Sequence, residues 1–291
     1  MKKLLFLFWV SAWLATPVLA QSRPARLDSL FSKLHRQGNF NGNVLIAEKG
    51  TPVFEKSYGI ADEQSHRMLD PGSVFELASL SKQFTAMAIV LLQKQGKLAY
   101  DDPMASYLPE LAHYDRITIR HLLHHTSGLP NYADYFIAHW DKSRFATNQD
   151  VIEAFGRVQP PVLFQPDEKF NYSNTGYVLL GSIIERVSGQ PYAGFLDQKI
   201  FKPLGMNHSL VYQGKYKPRK VENYAQGYLL DSLGNKVTPD SYGKGFFTYF
   251  LDGMVGDRGV SSTARDLLTW DQALYTDRLI GPRTESRFSK T

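Results

Sequence analysis

The chain has 291 residues, 43% hydrophobic and 21% charged, a globular composition that excludes a disordered or fibrous protein. It contains no cysteine, which rules out a disulfide scaffold, a thiol nucleophile, a cysteine-bound metal and a lipid-modified cysteine. The formal charge of +5 falls by two without Lys2 and Lys3, too small an excess to argue for nucleic acid.

Lys2 and Lys3 precede an apolar run over 4–14, and Val18-Leu19-Ala20 supplies small residues before a cut after Ala20. This pattern predicts a secretory signal peptide over 1–20; its apolar core is too short to span a bilayer. The expectation is a single domain over 21–291, periplasmic or secreted in a bacterium, with no stable membrane insertion.

Residues 24–37 place Leu27, Leu30, Phe31 and Leu34 at helical spacing, with Gly38 as a stop. Segments 43–48 and 53–60 flank a Lys49-Gly50-Thr51-Pro52 turn and predict a β-hairpin. Residues 79–95 give the strongest helix, with Phe84, Met87, Ala88, Leu91 and Leu92 on one face and Gly96 after its end. Helices are expected over 117–125, 151–155, 175–187 and 192–201, and a small hairpin around Leu233-Gly234-Asn235. Ser262 is the expected N-cap of a last helix through Leu274. Strand pair, helical middle and returning helix predict an α+β fold with an inserted helical lobe over roughly 97–250.

Ser79-Leu80-Ser81-Lys82 carries the most chemistry. Ser and Lys three apart share one helical face, and a helix N-terminus favours negative charge developing on the serine oxygen. A lysine that sheds its proton can then activate the hydroxyl. The plain alternative is that Ser79 only caps the helix. A second Ser-x-x-Lys, Ser241 to Lys244, falls in a glycine- and aromatic-rich loop with no helix to organise it.

Tyr172-Ser173-Asn174 is the only Tyr-x-Asn in the chain. On a tight turn, Tyr172 and Asn174 face one cleft. There the phenol can exchange protons, while the amide accepts from lysine and donates to a carbonyl. The plain alternative is a capping turn before a helix. His121, His124 and His125 have a spacing that could mimic a metal site, but no partner carboxylate is evident and a packing role is the simpler reading. No metal or cofactor is expected. Lys215 to Lys220, with Tyr216 inside, reads as a solvated loop. No glycine-rich phosphate loop and no Gly-x-Ser-x-Gly elbow is present.

These signals occur in order with residues 121–130 (HLLHHTSGLP), Pro203-Leu204-Gly205-Met206 and residues 261–270 (SSTARDLLTW). Together they resemble the serine beta-lactamase-related family of class C beta-lactamases, D-alanyl-D-alanine carboxypeptidases, D-aminopeptidases and family VIII esterases. The likeness runs from about Asn39 to Ile280. It implies a beta-lactamase and penicillin-binding transpeptidase-like fold, an antiparallel sheet flanked by helices. It also implies Ser79 as acylating nucleophile, Lys82 as its activating partner, Tyr172 as base or proton shuttle and Asn174 as positioner. The Ser79 backbone N–H would form half of an oxyanion hole. Whether Lys82 or Tyr172 takes the first proton stays open.

The implied activity is hydrolysis of an ester or amide (a beta-lactam, a D-amino-acid peptide or a small ester) through a Ser79 acyl-enzyme. A non-catalytic or slowly acylating penicillin- or peptidoglycan-binding sensor is the alternative. The implied partner is a small-molecule or peptide substrate. The family's third motif, Lys-Thr-Gly or His-x-Gly, has no counterpart after Asn174, so the expectation is a C-terminally incomplete member lacking its last strands and closing helix, with poor stability and little activity.

Overall fold

The computed structural model describes residues 22–281; the signal peptide expected over 1–20 lies outside them. Helix α1 (Arg23–Arg36) carries Pro24 in its first turn, where the missing N–H costs nothing. Its Phe31 ring lies against Phe54 and Tyr58 of the hairpin that follows. That hairpin, β1 (Gly42–Glu48) and β2 (Thr51–Tyr58), closes on Lys49 and Gly50, both at positive φ. This two-residue geometry matches the right-handed twist of the strands. A small ladder follows, β3 (Ile60–Asp62) with β4 (Arg67–Met68), then β5 (Phe75–Glu76).

The long helix predicted from Ser79 starts later. Ala78–Ser81 forms a 3-10 turn, and α2 (Lys82–Lys94) begins at the lysine. Ala78 adopts φ 45°, and the N–H of Leu77 is held by the Val260 carbonyl at 2.9 Å, so the chain enters too tightly for an α-turn. Gly96, at φ 68°, follows the end of the helix as expected.

A helical stretch then intervenes, built mainly from α3 (Ile119–Leu123), α4 (Tyr132–His139), α5 (Asn148–Val158), α6 (Asn174–Ser188) and α7 (Tyr192–Leu196). The sequence pattern did not reveal α4. From Thr175 to Ile184 every residue of α6 is buried, because its faces meet α2, α3, α5 and α7. After β6 (Leu210–Val211), the hairpin expected near Gly234 forms from β7 (Leu229–Leu230) and β8 (Lys236–Val237). The chain then reaches β9 (Val260–Ser262) and α8 (Ala264–Ala273). Ser262 belongs to β9, not to the helix cap. Thr263 is the cap, its side chain accepting from the Asp266 N–H at 3.1 Å.

The architecture is α+β, with antiparallel ladders. β9 lies between β5 and β6 in a three-stranded sheet, all three of its residues buried. It and the loop before it fix the rest. The Ser81 hydroxyl accepts from the Val260 N–H at 3.0 Å, which ties the start of α2 to β9. In the loop, three consecutive carbonyls each accept from a different buried side chain. Val255 takes Asn148 Nδ2 at 3.0 Å, Gly256 takes Thr85 Oγ1 at 2.6 Å, and Asp257 takes Lys82 Nζ at 2.9 Å. A buried loop must account for its polar backbone in this way.

Gly256 cannot be replaced there. It sits at φ 97°, and an added Cβ would lie 2.3 Å from the Tyr177 carbonyl. Gly256→Ala is therefore expected to cost at least about 2 kcal/mol, from strained φ plus collision with backbone. Urea unfolding of the two proteins measures it.

Candidate active site

Ser79 lies exposed on the 3-10 turn and Lys82 is buried at the first residue of α2. Residues three apart eclipse one another on a 3-10 turn. The Ser-x-x-Lys spacing therefore brings Lys82 Nζ to 3.1 Å from Ser79 Oγ. Ser79 is not the helix N-cap, so the simple capping role does not account for it.

Tyr172 and Asn174 arrive from the other side. Ser173 caps α6, its hydroxyl accepting from the Gly176 N–H at 3.1 Å. The capping role in the Tyr-Ser-Asn turn thus falls to the middle residue, while its neighbours face Lys82. Asn174 Oδ1 accepts from Lys82 Nζ at 2.9 Å, and the Tyr172 ring lies 4.9 Å from the same nitrogen. Tyr172 is 48% exposed, open to a molecule entering at Ser79.

Lys82 donates to Ser79 Oγ, Asn174 Oδ1 and the Asp257 carbonyl, three acceptors for the three N–H groups of an ammonium. Charge-assisted bonds to all three fix the nitrogen at one point. The third partner was not visible in the sequence, because a backbone carbonyl carries no residue-type signature. The two glycines flanking Asp257-Arg258 were the available hint of a special turn.

Behind that carbonyl lies a buried network that sequence reasoning also missed. The Asp257 carboxylate, 1% exposed, accepts from the Tyr132 hydroxyl at 3.0 Å and lies 3.4 Å from Arg258 Nε. Arg258 Nη2 in turn donates to the Tyr132 oxygen at 3.2 Å. Burial, then the Asp257 charge, pushes the Tyr132 phenol far above its ordinary value, so it stays a neutral donor.

The three histidines do not converge. His121 accepts from the Thr118 N–H at Nδ1 and turns Nε2 to Asp167 at 2.9 Å, whereas His125 packs against Tyr172. No group of three or more metal-ligating side chains gathers among the described residues. The second Ser-x-x-Lys is spent locally, Ser241 Oγ donating to the Thr238 carbonyl at 2.8 Å on an exposed turn. In the basic loop, Lys215 pairs with Asp240 and Lys220 with Glu222.

Residues 27–290 match the sequence profile of the family described as Beta-lactamase. The chain belongs to the beta-lactamase family. It is 43% identical over 273 residues to penicillin-binding protein 4* of Bacillus subtilis, covering 93% of this chain and 60% of that protein. It is 32% identical over 205 residues to esterase EstB of Burkholderia gladioli, covering 64% of this chain and 51% of the esterase. The octameric penicillin-binding protein homologue from Pyrococcus abyssi superposes with a TM-score of 0.73 at 29% identity, over 89% of this chain and 58% of that one. The chain thus spans about half to three-fifths of the length of these relatives. The family includes serine hydrolases, and its members include proteins named for penicillin binding and for ester hydrolysis. Among the described residues, no helix is long and apolar enough to cross a membrane.

Proposed function

We propose that the protein is an exported serine hydrolase that cleaves an ester or amide through a covalent acyl-enzyme on Ser79. The observation that carries this reading is the Lys82 constellation. One buried cation is held by Asn174 and a main-chain carbonyl, and its third N–H is aimed at an exposed serine hydroxyl. A simple binding cleft has no need of such a cation on a serine oxygen.

An ammonium with all three hydrogens engaged polarises the hydroxyl but has no lone pair to take its proton. That task falls to Tyr172, whose ring abuts the same cation. Ser79 Oγ attacks the substrate carbonyl as its proton passes to Tyr172, and the Ser79 backbone N–H donates to the oxyanion. As the C–O or C–N bond breaks, Tyr172 returns the proton to the departing alcohol or amine. Water then attacks the acyl-enzyme, gives its proton to Tyr172, and the proton goes back to Ser79 as the acid leaves.

Leu80 beside the nucleophile and Phe170 beside the Tyr172 turn are 57% and 67% exposed. This apolar rim favours an acyl group with an apolar or aromatic side. Beta-lactams, D-peptides and small esters remain the substrate classes, consistent with the names of the relatives. Export is supported by Lys2, Lys3 and the apolar run after them; N-terminal sequencing of secreted protein should start at Gln21.

Turnover of a p-nitrophenyl ester tests the reading. Tyr172→Phe is expected to lower kcat by ~10²–10⁴-fold while the melting temperature holds, the range for losing a general base. Unchanged kcat would remove Tyr172 from the mechanism. A burst of one equivalent with no further release would favour the sensor function over a hydrolase.

A further inference from the structure

The turn that presents Tyr172 is held from both sides by a single residue. The His125 carbonyl accepts from the Asn171 N–H at 2.9 Å, and its ring Nδ1 accepts from the Ser173 N–H at 3.0 Å. The residues before and after Tyr172 are therefore both donors to His125. Its ring also covers the phenol, with centroids 4.6 Å apart and planes at 32°. Tyr177 lies 5.0 Å away, and Phe170 closes the edge at 5.7 Å.

His125 sits where α3 ends and adopts φ 60°, a left-handed conformation. Glycine takes that position at least cost, and a Cβ-bearing residue gives up about 1 kcal/mol or more. A histidine here is explained by what its side chain does.

We propose that His125 is the positioning residue for Tyr172: its neutral imidazole latches the turn that sets the phenol against Lys82, and protonation of the ring releases it. This rests on the reading of Tyr172 as proton acceptor at Ser79. An N–H aimed at Nδ1 can be accepted only while that nitrogen is bare. Once Nδ1 carries a proton, the Ser173 N–H meets another donor and the turn loses one of its two ties.

The groups facing the ring are Lys82 from α2, His124 beside it in the chain, Tyr172 and Ser173 from the turn, and Tyr177 from α6. Burial, then the Lys82 charge, holds the imidazole below its ordinary value of 6.5. The neutral form is the competent one, so the latch is still closed at pH 6.5 and opens only at a pH below the ordinary imidazole range.

The test is the rate at which a fluorophosphonate labels Ser79, followed from pH 8 to pH 4.5. Two variants separate the hydrogen bond from the ring. His125→Asn keeps an acceptor near the Nδ1 position and tolerates the left-handed backbone, but does not titrate. His125→Phe keeps the ring and loses the acceptor. His125→Phe is expected to label ~10²-fold more slowly at pH 8, the cost of a reacting group displaced by about 1 Å. His125→Asn should recover most of that loss. Its acid limb should fall with one proton fewer than that of the parent.

An unchanged acid limb in His125→Asn, or parental labelling in a stably folded His125→Phe, overturns the proposal. If His125→Phe does not fold, the proton count of His125→Asn decides alone. Tyr172→Phe distinguishes the two levels of failure. If it labels as fast as the parent, the reading of Tyr172 falls and the latch with it. If it labels slowly while the His125 variants behave like the parent, the latch alone is wrong.

Discussion

Lys82→Met is expected to lower the rate of Ser79 acylation by ~10³-fold or more, since it removes both the charge and the three-point contact at the nucleophile. Methionine matches the length and apolar stem of lysine, so the start of α2 keeps its packing. Lys82→Arg should fail almost as badly. The planar guanidinium cannot place one nitrogen at about 3 Å from Ser79 Oγ, Asn174 Oδ1 and the Asp257 carbonyl together. The pair separates two explanations. If charge alone polarised Ser79, arginine would rescue; if point geometry matters, it will not. Fluorophosphonate labelling of both variants, against their thermal melts, makes the comparison.

The second large effect is on stability. Asp257→Ala is expected to cost about 3–5 kcal/mol, the range found when one partner of a buried ion pair is removed and the other is left uncompensated. The stranded groups are Arg258, which loses its counter-ion, and the Tyr132 hydroxyl, which loses its acceptor. For a domain of this size the loss corresponds to roughly 6–20 °C in melting temperature. Asp257→Asn keeps an acceptor for Tyr132 and should cost less, about 1–3 kcal/mol. Both substitutions should also slow acylation, because the carbonyl that holds Lys82 belongs to the same residue. Calorimetry gives the first effect and labelling the second.

The readable parts of this protein are those where a side chain announces its own geometry. The face formed by Phe84, Ala88, Leu91 and Leu92 predicted the body of α2, and Gly96 marked its end at positive φ. Ser79, Lys82, Tyr172 and Asn174 are legible because their chemistry lives in their own functional groups, and the structure brings all four around one nitrogen. What could not be read are arrangements decided by main chain. The shift of the α-helix start to Lys82 follows from Ala78 at φ 45° and from Leu77 tied to Val260, a strand residue more than 180 positions away. β9 has only three residues, too few for any alternation to show. The Asp257 carbonyl, and the use of both ends of His125 against the Tyr172 turn, depend on tertiary contacts that no local pattern encodes. His125 was visible only as one of three clustered histidines, for which the spacing suggested no more than a packing role. The fold gives His121 and His125 separate partners.

The central claim, a covalent acyl-enzyme on Ser79, is tested most directly by intact-protein and peptide mass spectrometry after brief exposure to a p-nitrophenyl ester or a penicillin. The account predicts one added acyl group per chain, located on the peptide that contains Ser79. The adduct should be absent from Ser79→Ala and should disappear with time as water completes the cycle. Ester turnover in Ser79→Ala at the parental rate, or an adduct mapped to any other residue, would contradict it.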